Sequence, residues 1–561
     1  MIGLVAATAA GRSAADDLAV RWPDCRTYPV GRIADAWAEC DALVCFLAAG
    51  ATIRLLAPLL EDKTTDPAVV CVDEARRFAV PLLGGHRGGG LEGGANALAE
   101  RVAQVFDAMP VVTTATDRRG LTALDGLGWP VEGAVAAVTR AMLDGEPVRL
   151  VADAVHPLPP LPVGETGEWT LRVTDRLEPA DDRTAVLRPP SLVVGVGASR
   201  GVSVEEVLEL VDAALADADL SPASVRALAT VEAKADEQGI VAAAAARGWP
   251  LVVHPAERLA AVAVPNPSDV VAEAVGTPSV AEASALVGPG TPELLVAKRR
   301  SDRPTPMATV AVARHAPRGR LALVGLGPGA RDLLTERARR ELARAAVVVG
   351  LDQYVDQVAD LLRPGVRVLA SGLGDEEARA RTAVEEAQAG HAVALIGSGD
   401  AGVYAMASPA LEMADETIDV LGVPGITAAL ASSAALGAPL GHDHAAISLS
   451  DLHTPWPAIE QRIRAVAEAD LVVSFYNPRS RGRDWQLPRA FELLAARRPP
   501  DTPVGLVRSV TRPGERVLLT TLGKVDPADV DMLTTVVVGS SQSRIVAGRM
   551  VTPRGYRWAE Q

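Results

Sequence analysis

Strand-length runs of Val, Ile and Leu recur along the whole chain, and Ala/Leu/Arg/Glu stretches of helical period separate them. Ala42–Leu47, Ala68–Val72, Val111–Thr114, Ser191–Val196, Leu321–Val324, Ala346–Val349, Ala392–Ile396, Leu471–Phe475 and Val504–Val507 are the strand candidates. Nearly continuous apolar runs suit strands covered on both faces, and strands joined through helices pair in parallel. The expected fold class is therefore α/β, with helices on both faces of parallel sheets. At 561 residues the chain has room for several domains. No repeat of roughly 20 to 50 residues is visible, which excludes a solenoid.

Composition breaks mark the joints. Val155–Pro190 carries Pro157, Pro159, Pro160, Pro162 and the pair Pro189–Pro190; Lys298–Pro306 and Ala313–Arg320 follow. Directly after the last break, LALVGLGPG restarts a strand and a Gly-rich turn, as a second independent module would begin. The expected cut lies near residue 317.

Charge narrows the partners. Asp plus Glu number 70 against 55 Lys plus Arg, a net charge of −15, so a broad phosphate-neutralising face is not expected and neither is nucleic acid. Aromatic residues are only 3%, too few for base-stacking platforms. An anionic ligand must be held by locally clustered Arg. Met1–Ala10 is apolar but has no basic flank, and the uncharged run Val420–Gly441 contains Pro424, Pro439 and four glycines. It reads as a buried turn and helix, so no membrane association is expected. Cys25, Cys40, Cys45 and Cys71 form no CxxC pair, and are expected as buried thiols in a reducing cytoplasm, with no metal site.

In the C-terminal half, Gly325, Gly327 and Gly329 with Pro328 follow a strand candidate. Such glycines make a tight βα turn and let a ligand approach the backbone; a purely structural turn stands as an equal alternative. Pro328 inside the turn and Arg331 at the third spaced position disfavour a dinucleotide fingerprint. Gly397-Ser-Gly-Asp-Ala-Gly-Val-Tyr404 also leaves a strand candidate, and Pro424-Gly-Ile-Thr-Ala-Ala429 opens a helix with Thr427 as its expected cap.

Taken in order, SGDAGVY, PGITAALA, GAPLGHD, ISLSDLHTPW, FYNPRS and TPRGY resemble the tetrapyrrole methylases that use S-adenosylmethionine. More narrowly, they resemble the precorrin-3B carbon-17 methyltransferases of corrin biosynthesis, over about Arg320–Tyr556. The resemblance implies two α/β subdomains that divide near residues 425–445, with the cofactor in the cleft between them, and a homodimer formed through this half. It places Pro328, Ser398, Gly399, Asp400, Val403, Thr427 and Ala428 at S-adenosylmethionine, with Tyr476 and Asn477 on the opposite wall. Related methylases often have Met where Asn477 stands. The implied substrate is a polycarboxylate tetrapyrrole, for which Arg479, Arg481, Arg483 and Arg554, with Arg512 and Arg516, are candidates. Ring contraction accompanies methylation in this family and would use an acid or base, for which Asp451, Asp375 and His453 are available.

In the N-terminal half, Gly84-Gly-His-Arg-Gly-Gly-Gly90 follows the strand-like Phe78–Leu83, and a helix begins near Asn96. Glycines, one His and one Arg at a strand end make an expected anion pocket. Ala229-Thr-Val-Glu-Ala-Lys-Ala-Asp-Glu237 puts Glu232, Lys234 and Asp236 at alternating positions. PLLGGHRGG, PVVTTATD, VGVGASRGVS, LATVEAKADE and VGTPSVAEASAL resemble the cobalamin-biosynthesis family typified by cobalt-precorrin-5A hydrolase. The implied activity opens a lactone with water and releases acetaldehyde, with His86 as general base and Lys63 and Arg87 on substrate carboxylates. One departure is the insertion Gly90-Leu-Glu-Gly-Gly94 before Ala95. It leaves a second reading open, a non-catalytic module that binds corrin intermediates. The expected domains are residues 1–125, a weakly matching segment 126–190, 191–313, a linker 314–319, and 320–561.

Overall fold

The computed structural model describes residues 1–62, 65–85, 94–112, 124–178, 181–480 and 482–555. It divides the chain into two units, Met1–Val155 with Leu161–Pro317, and His156–Pro160 with Arg318–Gln561.

Among the described residues the first unit holds three sheets. The strands β1 (Ile2–Ala6), β2 (Cys25–Pro29), β3 (Ala42–Phe46), β4 (Ala68–Val72), β5 (Phe78–Leu83) and β6 (Met109–Pro110) form one in the order β2-β1-β3-β4-β5-β6. Residues between Val131 and Leu187 build a second from β7 (Val131–Gly133), β8 (Val148–Ala152), β9 (Trp169–Val173) and β10 (Thr184–Leu187), in the order β7-β10-β9-β8. The third runs β13-β12-β11-β15-β14, from β11 (Leu192–Ala198), β12 (Val225–Val231), β13 (Leu251–His254), β14 (Glu293–Arg300) and β15 (Ala308–Arg314). Cys40, Cys45 and Cys71 are buried and Cys25 partly so; all are free thiols, and burial pushes Cys45 up to about 12.

The second unit opens with a wholly parallel sheet of β16 (Gly319–Gly325), β17 (Val347–Leu351), β18 (Arg367–Ser371), β19 (Ala392–Gly397) and β20 (Ile418–Val423), in the order β18-β17-β19-β16-β20. Leu321 and Leu323 pack with Ala380, Ala383 and Val384 on one face, while Ala322 and Val324 pack with Ala338 and Leu342 on the other. Both faces are covered, which is why these strands read as continuous apolar runs rather than as alternation. After β21 (Gly437–Ala438) comes a mixed sheet of β22 (His444–Ser448), β23 (Val472–Tyr476), β24 (Pro503–Arg508), β25 (Arg516–Thr521) and β26 (Thr534–Val538), ordered β22-β23-β26-β24-β25. The closing hairpin β27 (Arg544–Val546) and β28 (Arg549–Val551) pairs with β21.

Two expectations need correction. The sheets are not all parallel: β14–β15 and β24–β25 are antiparallel, because connections this short cannot hold the crossover that parallel pairing needs. The strand expected at Val111–Thr114 is instead Met109–Pro110; Val111 and Val112 lie beyond it, and Thr113 and Thr114 are outside the described residues. The run Val420–Gly441 becomes the end of β20, a turn, the helix Ala428–Leu436 and β21. Among the described residues no helix is long and apolar enough to cross a membrane.

Candidate cofactor and substrate site

Because β19, β16 and β20 are adjacent and parallel, the loops that leave their C-terminal ends start side by side, where open α/β sheets take ligands. The loops are cross-linked through backbone. Gly327 N–H donates to Gly399 O at 3.0 Å, and Gly399 N–H donates back to Gly327 O at 2.8 Å. A Cβ at Gly425 would lie 2.1 Å from Gly399 O, and one at Gly325 2.7 Å from the same atom. Only glycine lets the three loops close this tightly. Asp400 then ties its own loop to the Gly425 loop: its Oδ2 accepts from Gly425 N at 3.0 Å and its Oδ1 from Gly402 N at 2.8 Å.

The second sheet reaches across to these loops. In the turn after β24, Arg512 donates from Nε to Pro328 O at 2.6 Å and from Nη2 to Ser398 Oγ at 2.7 Å. Thr511 Oγ1 accepts from Ala330 N at 3.1 Å. A Cβ at Gly329 would meet Arg512 Cγ at 2.5 Å, so that glycine makes room for the guanidinium stem. At the end of β23 the Tyr476 hydroxyl lies 2.6 Å from Thr427 Oγ1 and accepts from Ala429 N at 2.9 Å. The expected Thr427 cap is thus corrected: Thr427 makes no side-chain cap bond, and Tyr476 from the other sheet satisfies the helix amide instead. Tyr404 donates to Ala446 O at 2.8 Å, with its ring centroid 5.1 Å from that of Tyr476; burial raises its pKa.

Strain marks the same places. Tyr404, Asn477, Ser509 and Thr511 all have φ between 48° and 62°, the left-handed region that disfavours side chains. Each costs about 1–3 kcal/mol and persists only where its surroundings enforce it.

The structure brings Pro328, Ser398, Gly399, Asp400, Val403, Thr427 and Ala428 onto the three adjoining loops, with Tyr476 and Asn477 at the facing strand end. Asn477 Nδ2 donates to Ser448 Oγ at 3.1 Å. Asp451 follows on the loop after β22 and accepts from Gln486 Nε2 at 3.0 Å. Arg483 is 8% exposed; burial lowers its pKa, the Asp451 charge opposes that, and its Nη1 has no hydrogen-bond partner. Arg479 donates from Nη1 to Pro527 O at 2.9 Å. Asp375 stands apart from Asp451, exposed before the helix Glu376–Gln388 and without a side-chain cap bond. His453, Arg516 and Arg554 are exposed. Arg512 is corrected from a substrate candidate to a strut, since two of its nitrogens are bonded to the loops. Arg481, Lys63, His86 and Arg87 lie outside the described residues. Among the described residues no group of three or more His, Cys, Asp or Glu is placed to hold a metal ion.

Sequence reading missed the struts, although the Arg-Pro-Gly turn after a strand was a signal for a tight hairpin.

Family models match both halves of the chain. The family model of the tetrapyrrole (corrin/porphyrin) methylases matches residues 320–526. Those of the cobalamin synthesis G C-terminus and N-terminal domains match residues 192–313 and 32–117. The probable cobalt-factor III C(17)-methyltransferase of Salmonella typhimurium is 48% identical over 239 residues, 42% of this chain and 99% of its own length. The precorrin-3B C(17)-methyltransferase of a Sinorhizobium species is 41% identical over 254 residues, 43% of this chain and 99% of its own. The crystal structure of the methyltransferase CobJ is 40% identical, with a TM-score of 0.40, and covers 42% of this chain and 100% of that one.

Proposed function

The chain belongs to the tetrapyrrole methylases through its C-terminal half, joined to both cobalamin synthesis G domains, and from that premise we propose a bifunctional enzyme of corrin synthesis. The C-terminal unit methylates carbon 17 of precorrin-3B or its cobalt analogue, with ring contraction. The observation that carries this reading is the junction of three glycine-packed loops, two of them tied by Asp400, at the C-terminal edge of a parallel sheet.

S-adenosylmethionine supplies an electrophilic methyl group when bound. The residues of this chain have to align the acceptor carbon with that methyl and keep water away. Ser398, Gly399, Asp400, Val403, Thr427 and Ala428 line one wall, with Pro328 below and Tyr476 and Asn477 opposite. Arg479, Arg483 and Arg554, together with Arg481, are the groups assigned to the carboxylates of the macrocycle. Asp451, oriented by Gln486, is the better-placed acid–base group; Asp375 stands on an edge-strand loop and serves only if substrate reaches it.

The N-terminal unit acts on a neighbouring intermediate as a lactone hydrolase, with His86 as base and Lys63 and Arg87 on carboxylates. A second reading, a non-catalytic binding module, is favoured by the insertion Gly90–Gly94. Either way, fusion raises the effective concentration of an unstable intermediate at the next site. A homodimer formed through the methylase half and a cytoplasmic location complete the proposal.

The test is anaerobic incubation of the full chain with labelled S-adenosylmethionine and either the cobalt-containing or the metal-free intermediate, with products read by mass. One added methyl group is expected. Asp400→Ala should weaken cofactor binding by more than about tenfold, roughly 1.4 kcal/mol. No methyl transfer to either intermediate would overturn the reading.

A further inference from the structure

A methyl group leaves a sulfonium without its bonding electrons, so a macrocycle that gains one must give up one proton overall. The three-loop junction offers no open carboxylate to take that proton. Both oxygens of Asp400 accept backbone amides, from Gly402 and Gly425, and the Thr427 and Tyr476 hydroxyls lie 2.6 Å apart and bond to each other. Proton removal, and the ring contraction that goes with it, need a group outside the junction.

The loop that carries Asp451 is fastened to the strand end that carries Tyr476 and Asn477. Leu449 N donates to Tyr476 O at 2.9 Å, and Ser448 Oγ accepts from Asn477 Nδ2 at 3.1 Å and from Ser450 N at 3.2 Å. Asp451 is exposed, and so are its apolar neighbour Leu452 and Trp485, the residue before Gln486. The two carboxylate oxygens differ. Oδ2 accepts from Gln486 Nε2 at 3.0 Å, whereas Oδ1 has no hydrogen-bond partner among the described residues.

The donor behind Oδ2 is built in. Gln486 is 2% exposed and opens the helix Gln486–Ala495. Trp485 packs edge-on against Trp456, centroids 4.7 Å apart, at the start of the helix Trp456–Glu468. Two helix starts thus fix the amide. A carboxylate only accepts hydrogen bonds, so it holds the Nε2 end of that amide and leaves Oε1 in the interior, where it has no partner. Three residues earlier, Arg483 is buried too; its backbone closes onto Ser480 through bonds of 2.9 and 3.2 Å, and its Nη1 is also unpartnered. Buried polar atoms left unpaired cost stability, and a fold keeps them where an arrangement serves something other than stability.

We propose that Gln486 is the positioning residue of the ring-contraction step: it holds Asp451 by Oδ2, so that Oδ1 is presented to the macrocycle as the base. An O–H or C–H bond of the macrocycle breaks, its electron pair stays in the ring system, and the proton passes to Oδ1 and then to water. No oxidant or reductant is required. The inference rests on the methylase reading and supplies the step that the junction cannot perform.

Anaerobic single turnovers of the full chain with labelled S-adenosylmethionine test it, with label followed in the macrocycle and the contracted ring followed by absorption and NMR spectra. Gln486→Met keeps the length of the side chain and removes the donor; Gln486→Glu keeps its size and polarity. In wild type the label and the contracted ring should appear together. In both variants contraction should separate in time from label transfer, about tenfold or more slower than in wild type, with the tetrapyrrole KM within about twofold. Asp451→Asn should slow contraction by about a hundredfold, and Gln486→Met should add nothing to it in the double variant. Asp451 is exposed, so Asp451→Asn and Gln486→Glu carry the test if Gln486→Met unfolds. Contraction at the wild-type rate in any of these variants, a KM that rises as the rate falls, or additive effects in the double variant would overturn the inference. A wild type that transfers no methyl group would overturn the methylase reading itself.

Discussion

Two strand edges in this molecule solve a similar problem in different ways. Where β16, β19 and β20 end, the carboxylate of Asp400 gathers backbone amides, and the cation nearest the loops, Arg512, is occupied by Pro328 O and Ser398 Oγ. Where β11 and β12 end, the carboxylate of Glu237 likewise takes an amide, from Gly201, but also pairs with the Lys234 ammonium at 3.9 Å. The first edge ties its carboxylate to backbone amides alone; the second shares its carboxylate between an amide and an ammonium. A basic residue at a sheet edge therefore reads as a ligand group only after its donors have been accounted for.

The contrast can be broken most forcefully at Gly425. Gly425→Ala drives a methyl to 2.1 Å from Gly399 O. Methyl transfer should fall by at least about a hundredfold in initial-rate assays, while the thermal stability of the first unit is unchanged. A near wild-type rate would mean the loops do not need their close packing.

A smaller effect separates the two units by pH. His315 is 3% exposed, its Nε2 lies 2.8 Å from Ala285 O, and burial lowers its pKa to about 4. The unfolded chain takes up this proton near pH 6.5 and the folded chain only near 4. Stability is thus complete above that range and lost as pH falls through it, by up to about 3 kcal/mol. Among the described residues of the second unit no histidine is buried. Calorimetric scans should therefore show the first unit's transition dropping between pH 6.5 and 4, and His315→Gln should flatten that slope. Parallel movement of both transitions would refute the assignment.

The mildest change is expected at Arg479, whose Nη1 is already held by Pro527 O. Arg479→Gln should raise the tetrapyrrole KM by about threefold to tenfold and leave cofactor affinity unchanged. An equal loss for both ligands would make it structural.

Much of this was legible in the sequence. Ala68–Val72 and Phe78–Leu83 are strands with the expected bounds, and Leu321–Val324 and Ala392–Ile396 lie within slightly longer ones. Strands apolar on both faces leave an unbroken signature, and glycines after them mark where loops must close. The struts were not legible, because nothing local in RPG says that a guanidinium will cross to Pro328 and Ser398. Nor was the inner face of Lys234: Glu232, Lys234 and Asp236 alternate in sequence, yet a 3₁₀ turn separates them. Charged spacing fixes a shared face only once the backbone conformation is known.

The central claim is that the three-loop junction holds S-adenosylmethionine and that Arg512 serves those loops rather than the tetrapyrrole. Calorimetric titration of the cofactor into full-length wild type and Arg512→Gln, with the tetrapyrrole KM measured alongside, tests it most directly. The account predicts one cofactor per wild-type chain, at least about a tenfold weaker Kd in Arg512→Gln, and an unchanged tetrapyrrole KM. An unchanged cofactor Kd with a raised tetrapyrrole KM would contradict it.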